Sequence, residues 1–71
     1  MATVRTVLLA NPQVGTVKLV GEDYRGGVTL PVSRFIERFS STEVWNSEVI
    51  TYFVDKDGIL EIWLSIDWIY H

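Results

Sequence analysis

Acid–base, nucleophilic and metal chemistry each need particular side chains held close together, and this chain is short of the most useful ones. It has no cysteine and one histidine, His71, in its last position. A serine nucleophile needs a base at hydrogen-bond distance, and a residue at a fraying end is poorly placed to serve as one. Without thiols or a second imidazole, a zinc cage lacks its usual ligands. Carboxylates are plentiful. Glu61 and Asp67 fall on one face of an extended strand with Trp63 between them, but by strand rise they stand about 20 Å apart. That is too far for the paired acids of glycoside hydrolysis.

Two short motifs invite a ligand and do not complete it. Gly21–Gly27 (GEDYRGG) is rich in glycine, as phosphate-cradling loops are. It lacks both the G-x-G-x-x-G spacing and a P-loop lysine, and Glu22 and Asp23 would repel an anion. Asp55-Lys56-Asp57-Gly58 opens like a calcium loop. The further oxygens and the closing glutamate that calcium needs do not follow, so the segment reads as a turn. No catalytic residue, cofactor or metal ligand is therefore assigned, and the chain is expected not to be an enzyme.

What remains is chemistry of contact. Tyr24 and Arg25 sit at the tip of the glycine-rich loop, and both residue types are enriched at binding hot spots. Trp63, Trp68 and Tyr70 stand near the end of the chain with Ile66 and Ile69. An apolar strand left uncovered is a pairing surface. These five residues, Tyr24, Arg25, Trp63, Trp68 and Tyr70, are the expected protein interface. The rival reading uses Tyr24 and Arg25 with Arg34 and Arg38 as a small basic, aromatic surface for nucleic acid. Charge weighs against it. The net charge is −3, with five basic and three acidic side chains in residues 1–42 but one basic and six acidic in residues 43–71.

The elements that must position these groups follow from periodicity. Thr3–Ala10 (TVRTVLLA) reads as a strand apolar on much of both faces, stopped by Asn11-Pro12. Val14–Val20 reads as a second strand, expected to pair with the first across Asn11–Gly15. Val28–Leu30 is a short third. In Pro31–Phe39 the period changes. Val32, Phe35, Ile36 and Phe39 fall at i, i+3, i+4 and i+7, one apolar stripe of a helix, with Pro31 suited to its first turn.

Val49–Val54 and Ile59–Ile66 then flank the Asp55–Gly58 turn as a hairpin. A two-residue Asp57-Gly58 loop would set Phe53 opposite Ile62. A type I turn with Gly58 as a left-handed bulge residue shifts the pairing by one and puts Ile50, Tyr52 and Val54 on the face of Leu60, Ile62, Leu64 and Ile66. Asp at the first turn position and Gly at the fourth favour the second register.

These elements predict one α+β domain over residues 1–71. Its order is β-β-(β)-α-β-β, a mainly antiparallel sheet of four to five strands with one short helix, or the same strands curled into a small barrel around that helix. Such a chain buries only roughly 60% of its unfolded surface. It nonetheless carries 48% apolar residues and nine large aromatics, a surplus that a second chain would cover. The absence of cysteine suits a reducing compartment. No run approaches the length of a membrane span, and the N-terminus lacks the pattern of a secretion signal. The chain is accordingly expected to be cytoplasmic, a small acidic protein-binding module and homodimer. Phage and mobile-element inhibitors share this size and charge by analogy alone.

Overall fold

Thr3 starts the chain's first regular element, and that element is a helix. The computed structural model describes residues 2–21 and 27–65. Helix α1 spans Val4–Ala10, where periodicity predicts a strand. Thr3 and Thr6 form a reciprocal cap: the Thr3 hydroxyl accepts from the Thr6 amide, and the Thr3 amide donates to Thr6 Oγ1 at 2.8 Å. The cap satisfies amides that a helix start leaves free. Val4, Val7 and Leu8, at i, i+3 and i+4, are all buried. Burial of that stripe overrides the strand preference of threonine and valine. Asn11 closes the helix by donating its side-chain amide to the Val7 carbonyl at 2.8 Å.

Strands β1 (Thr16–Val20), β2 (Val28–Pro31), β3 (Val49–Val54) and β4 (Ile59–Leu64) form one sheet in the order β2-β1-β4-β3. The outer pairs, β1 with β2 and β3 with β4, are antiparallel, while the central pair, β1 with β4, is parallel. The expected pairing across Asn11–Gly15 does not occur, because the first of its two partners is helical. Among the described residues the sheet is open and has four strands, so the barrel alternative is set aside. Gly27 lies so close to β1 that a Cβ there would stand 2.9 Å from the Leu19 carbonyl oxygen, a contact only glycine avoids.

Helix α2 covers Val32–Phe39. It is a second helix where the sequence promises one, and a short 3₁₀ turn over Glu43–Asn46 follows it. Phe35 and Phe39 are buried with ring centroids 4.9 Å apart. Ile36 is exposed, so the apolar stripe is narrower than its spacing suggests. Both helices pack on one face of the sheet. There Val4, Val7, Phe35, Phe39 and Val44 meet Val17, Leu19, Leu60, Ile62 and Leu64 in a single core. The parallel register aligns Val17 with Leu60 and Leu19 with Ile62, which places that row on the helix side. Lys18, Glu61 and Trp63 consequently point to the other face.

Candidate functional site

The β3–β4 hairpin takes the favoured register. Val54 faces Leu60, Tyr52 faces Ile62 and Phe53 faces Glu61. Its turn is built by one carboxylate. Asp55 Oδ1 accepts from the amides of Asp57 (2.8 Å) and Ile59 (3.0 Å), and Gly58 adopts a φ of 79°. Positive φ of this kind is costly to any residue with a Cβ. Asp55 thus works as a turn acceptor, in keeping with the plain-turn reading of this segment.

Register alone does not make β3 part of the floor under the helices. β3 is the outermost strand, and of its residues only Val49 is buried in the core under the helices. Ile50, Tyr52, Phe53 and Val54 are 57%, 45%, 46% and 47% exposed. Ile50 does not join the Leu60–Ile62 row at all, because the pairing slips between Val49 and Thr51 and leaves Ile50 in a bulge. Tyr52 and Val54 lie on the helix side of the sheet, while Phe53 and Thr51 lie on the other. The edge is therefore apolar on both faces.

The backbone of this edge is open over a defined length. The Asp55 amide donates inward to the Ile59 carbonyl at 2.9 Å. In an antiparallel ladder residues alternate, so Phe53 and Thr51 also bond inward while Tyr52 and Val54 direct their amides and carbonyls outward. Farther back the edge is closed. The Val49 amide donates to the Ala2 carbonyl at 2.9 Å, the Val4 amide donates to the Ser47 carbonyl at 3.2 Å, and Thr3 bridges to Glu48. The open stretch runs from Ile50 to Val54.

Trp63, the one expected interface residue within the described segments, lies on the face of the sheet opposite the helices. It is half-buried, and its indole N–H donates to Glu61 Oε2 at 2.6 Å. Glu61 also pairs with Lys18 Nζ at 3.7 Å. Lys18, Glu61 and Phe53 occupy adjacent positions on β1, β4 and β3, and Trp63 sits beside Val20 and Thr51. On this face Phe53, at the edge, lies one same-face register position from a tryptophan whose indole is hydrogen-bonded to a carboxylate. Partly exposed ion pairs like Lys18–Glu61 add little stability. Here the same carboxylate links Lys18 to the Trp63 indole.

Tyr24, Arg25, Trp68 and Tyr70 lie outside the described residues, as does Asp67. Of the rival basic surface, Arg34 and Arg38 line an open groove with Leu30 and Glu37. Arg38 also lies over the Phe39 ring, 5.1 Å from its centroid. Among the described residues, no three His, Cys, Asp or Glu side chains converge as metal ligands. Nor is any described helix long and apolar enough to cross a membrane.

Periodicity missed Ile50, Tyr52, Phe53 and Val54 as surface groups. A strand apolar on both faces looks like a central strand, and only strand order reveals that this one is outermost. Comparison of the chain with protein-family models, with curated proteins and with solved structures finds no match.

Proposed function

We propose that this chain is a small non-enzymatic protein-binding module, an adaptor, assembly factor or inhibitor that occupies a partner's surface and acts as a homodimer. The observation that carries the reading is the β3 edge: four consecutive or near-consecutive apolar side chains, each about half exposed, on an open run of backbone. Strand addition to such an edge gives affinity through backbone bonds and specificity through side chains. The cysteine-free composition suits a cytoplasmic partner.

The second reading, nucleic-acid binding through Tyr24, Arg25, Arg34 and Arg38, draws support from the arginine-lined groove on α2. Glu37 in that groove and the net negative charge oppose it. One capture experiment separates the two. Tagged wild-type chain is compared with Tyr52→Lys/Phe53→Lys and with Arg34→Ala/Arg38→Ala in host lysate, with and without nuclease. Capture of a defined protein that survives nuclease, persists in the arginine variant and drops at least tenfold in the edge variant supports the module. Capture that requires nucleic acid and fails in the arginine variant overturns it.

A further inference from the structure

We propose that the occupant of the open β3 edge is the β3 edge of a second copy, joined antiparallel about a two-fold axis at Phe53. This deepens the reading of the chain as a homodimeric module and rests on it.

Three features of the edge converge on that register. The first is backbone alternation. The outward bonding groups belong to Tyr52 and Val54, so an antiparallel neighbour must set its own outward residues opposite them. Registers that place Tyr52 opposite Phe53 are excluded, since Phe53 spends its bonding groups on β4.

The second is the closed end of the edge. Ala2 and Thr3 already occupy the outer side of Ser47–Val49. Setting Tyr52 opposite Tyr52 of the other copy would drive that copy's Asp55 onto the position beside Val49 that Ala2 fills. Setting Val54 opposite Val54 clears Ala2 but places Tyr52 against the other copy's turn, where it has no strand partner. The register between these sets Tyr52 of each copy opposite Val54 of the other. Every outward amide and carbonyl of the two residues is then used, and Ala2 is cleared. Closed symmetry of this kind makes the contact the same patch on both copies.

The third is the side-chain pattern that this register creates. Phe53 meets its own copy across the axis at a non-hydrogen-bonded position, where strands bring their side chains closest. On the helix side Tyr52 packs beside Val54. The central contact is therefore aromatic on one face and aromatic against β-branched on the other, and no charged side chain lies between Val49 and Asp55. The dimer is one continuous sheet of both copies, with the two Trp63 residues on the same broad face as the Phe53 pair. Four half-exposed apolar side chains offer on the order of 400 Å² per copy, about half the usual area per partner of a stable interface, so the contact falls among weak, transient ones. The association is accordingly reversible and concentration-dependent.

The lack of native cysteine makes a single-cysteine experiment clean. In the proposed register Phe53→Cys places two thiols at a cross-strand spacing that a disulfide can span. Under mild oxidation Phe53→Cys is expected to form a covalent dimer at least tenfold faster than Ile36→Cys, a similarly exposed site on α2. Wild-type chain is expected to show concentration-dependent dimerisation by light scattering. Its Tyr52 and Val54 amides are expected to exchange more slowly as concentration rises. Val54→Pro, which removes an outward donor at an edge that tolerates proline, is expected to weaken dimerisation at least tenfold.

A wild-type chain that stays monomeric to millimolar concentration overturns the proposal. So does a dimer in which Phe53→Cys crosslinks no faster than the control and the Tyr52 and Val54 amides gain no protection. A monomeric result also removes the homodimer from the proposed function but leaves the β3 edge free for the strand of another protein, which the capture experiment tests independently.

Discussion

The two edges of the sheet are built differently, and the contrast teaches which of them is left open to a further strand. β2 is four residues long, ends at Pro31 and passes directly into α2. Its Val28 and Leu30 pack against the core, leaving Thr29 exposed. Shortness, a proline and a covering helix are the ordinary ways of blunting an edge. β3 has six residues, contains neither proline nor charge, and exposes every residue after Val49. Among the described residues, its protection is the Ala2–Thr3 strap over its first part. One sheet therefore carries a guarded edge and an unguarded one, and the proposed function rests on the second.

The largest expected effect comes from breaking the strand that supports β3. Ile62→Ala, at a fully buried position opposite Tyr52, is expected to cost about 2–5 kcal/mol by denaturant unfolding. It should loosen β3 far more than β2, as amide exchange on the two strands would show. Gly58→Ala puts a Cβ at a positive φ and is expected to cost about 1 kcal/mol or more, with fraying confined to the hairpin. Thr3→Ala removes the cap of α1 and is expected to cost about 1 kcal/mol. The Val49 amide, which bonds to Ala2, should exchange faster, because the strap and the helix start share those residues.

The smallest effect on stability separates the edges most sharply. Val54→Lys on β3 and Thr29→Lys on β2 are both exposed changes, each expected to shift stability by no more than about 0.5 kcal/mol. Light scattering should show self-association lost in the first and unchanged in the second. Equal loss in both would abolish the distinction between the edges.

Much of this arrangement was legible in local chemistry. The Asp55–Gly58 turn dictated its register through residue types suited to that geometry, and Phe35 and Phe39 marked the buried side of α2. α1 was misread because Thr3, Val4, Thr6 and Val7 favour strands individually, while the burial that makes them helical is tertiary. The signal that was present, Thr3 and Thr6 at capping spacing, departs from the usual Ser/Thr-x-x-Glu pattern. The site was legible only in part. The surplus of apolar residues points to uncovered surface, and Trp63 lies on the same sheet face as Phe53. The location of that surface at Ile50–Val54 depended on β4 choosing β1 as its parallel neighbour, a contact between distant parts of the chain that no local pattern encodes.

That central seam also governs how the molecule is assembled. Thr16 pairs with Ile59, a closure of about 40 residues of chain, and contacts so far apart form slowly. Without that seam the described strands would divide into two antiparallel hairpins, each a unit that is marginal by itself in water. During synthesis β1 emerges long before β4. Until β4 is made, Val17 and Leu19 have no Leu60 and Ile62 to pair with, so the order of synthesis leaves β1 without its parallel neighbour for longer than any other strand of the sheet waits for its own.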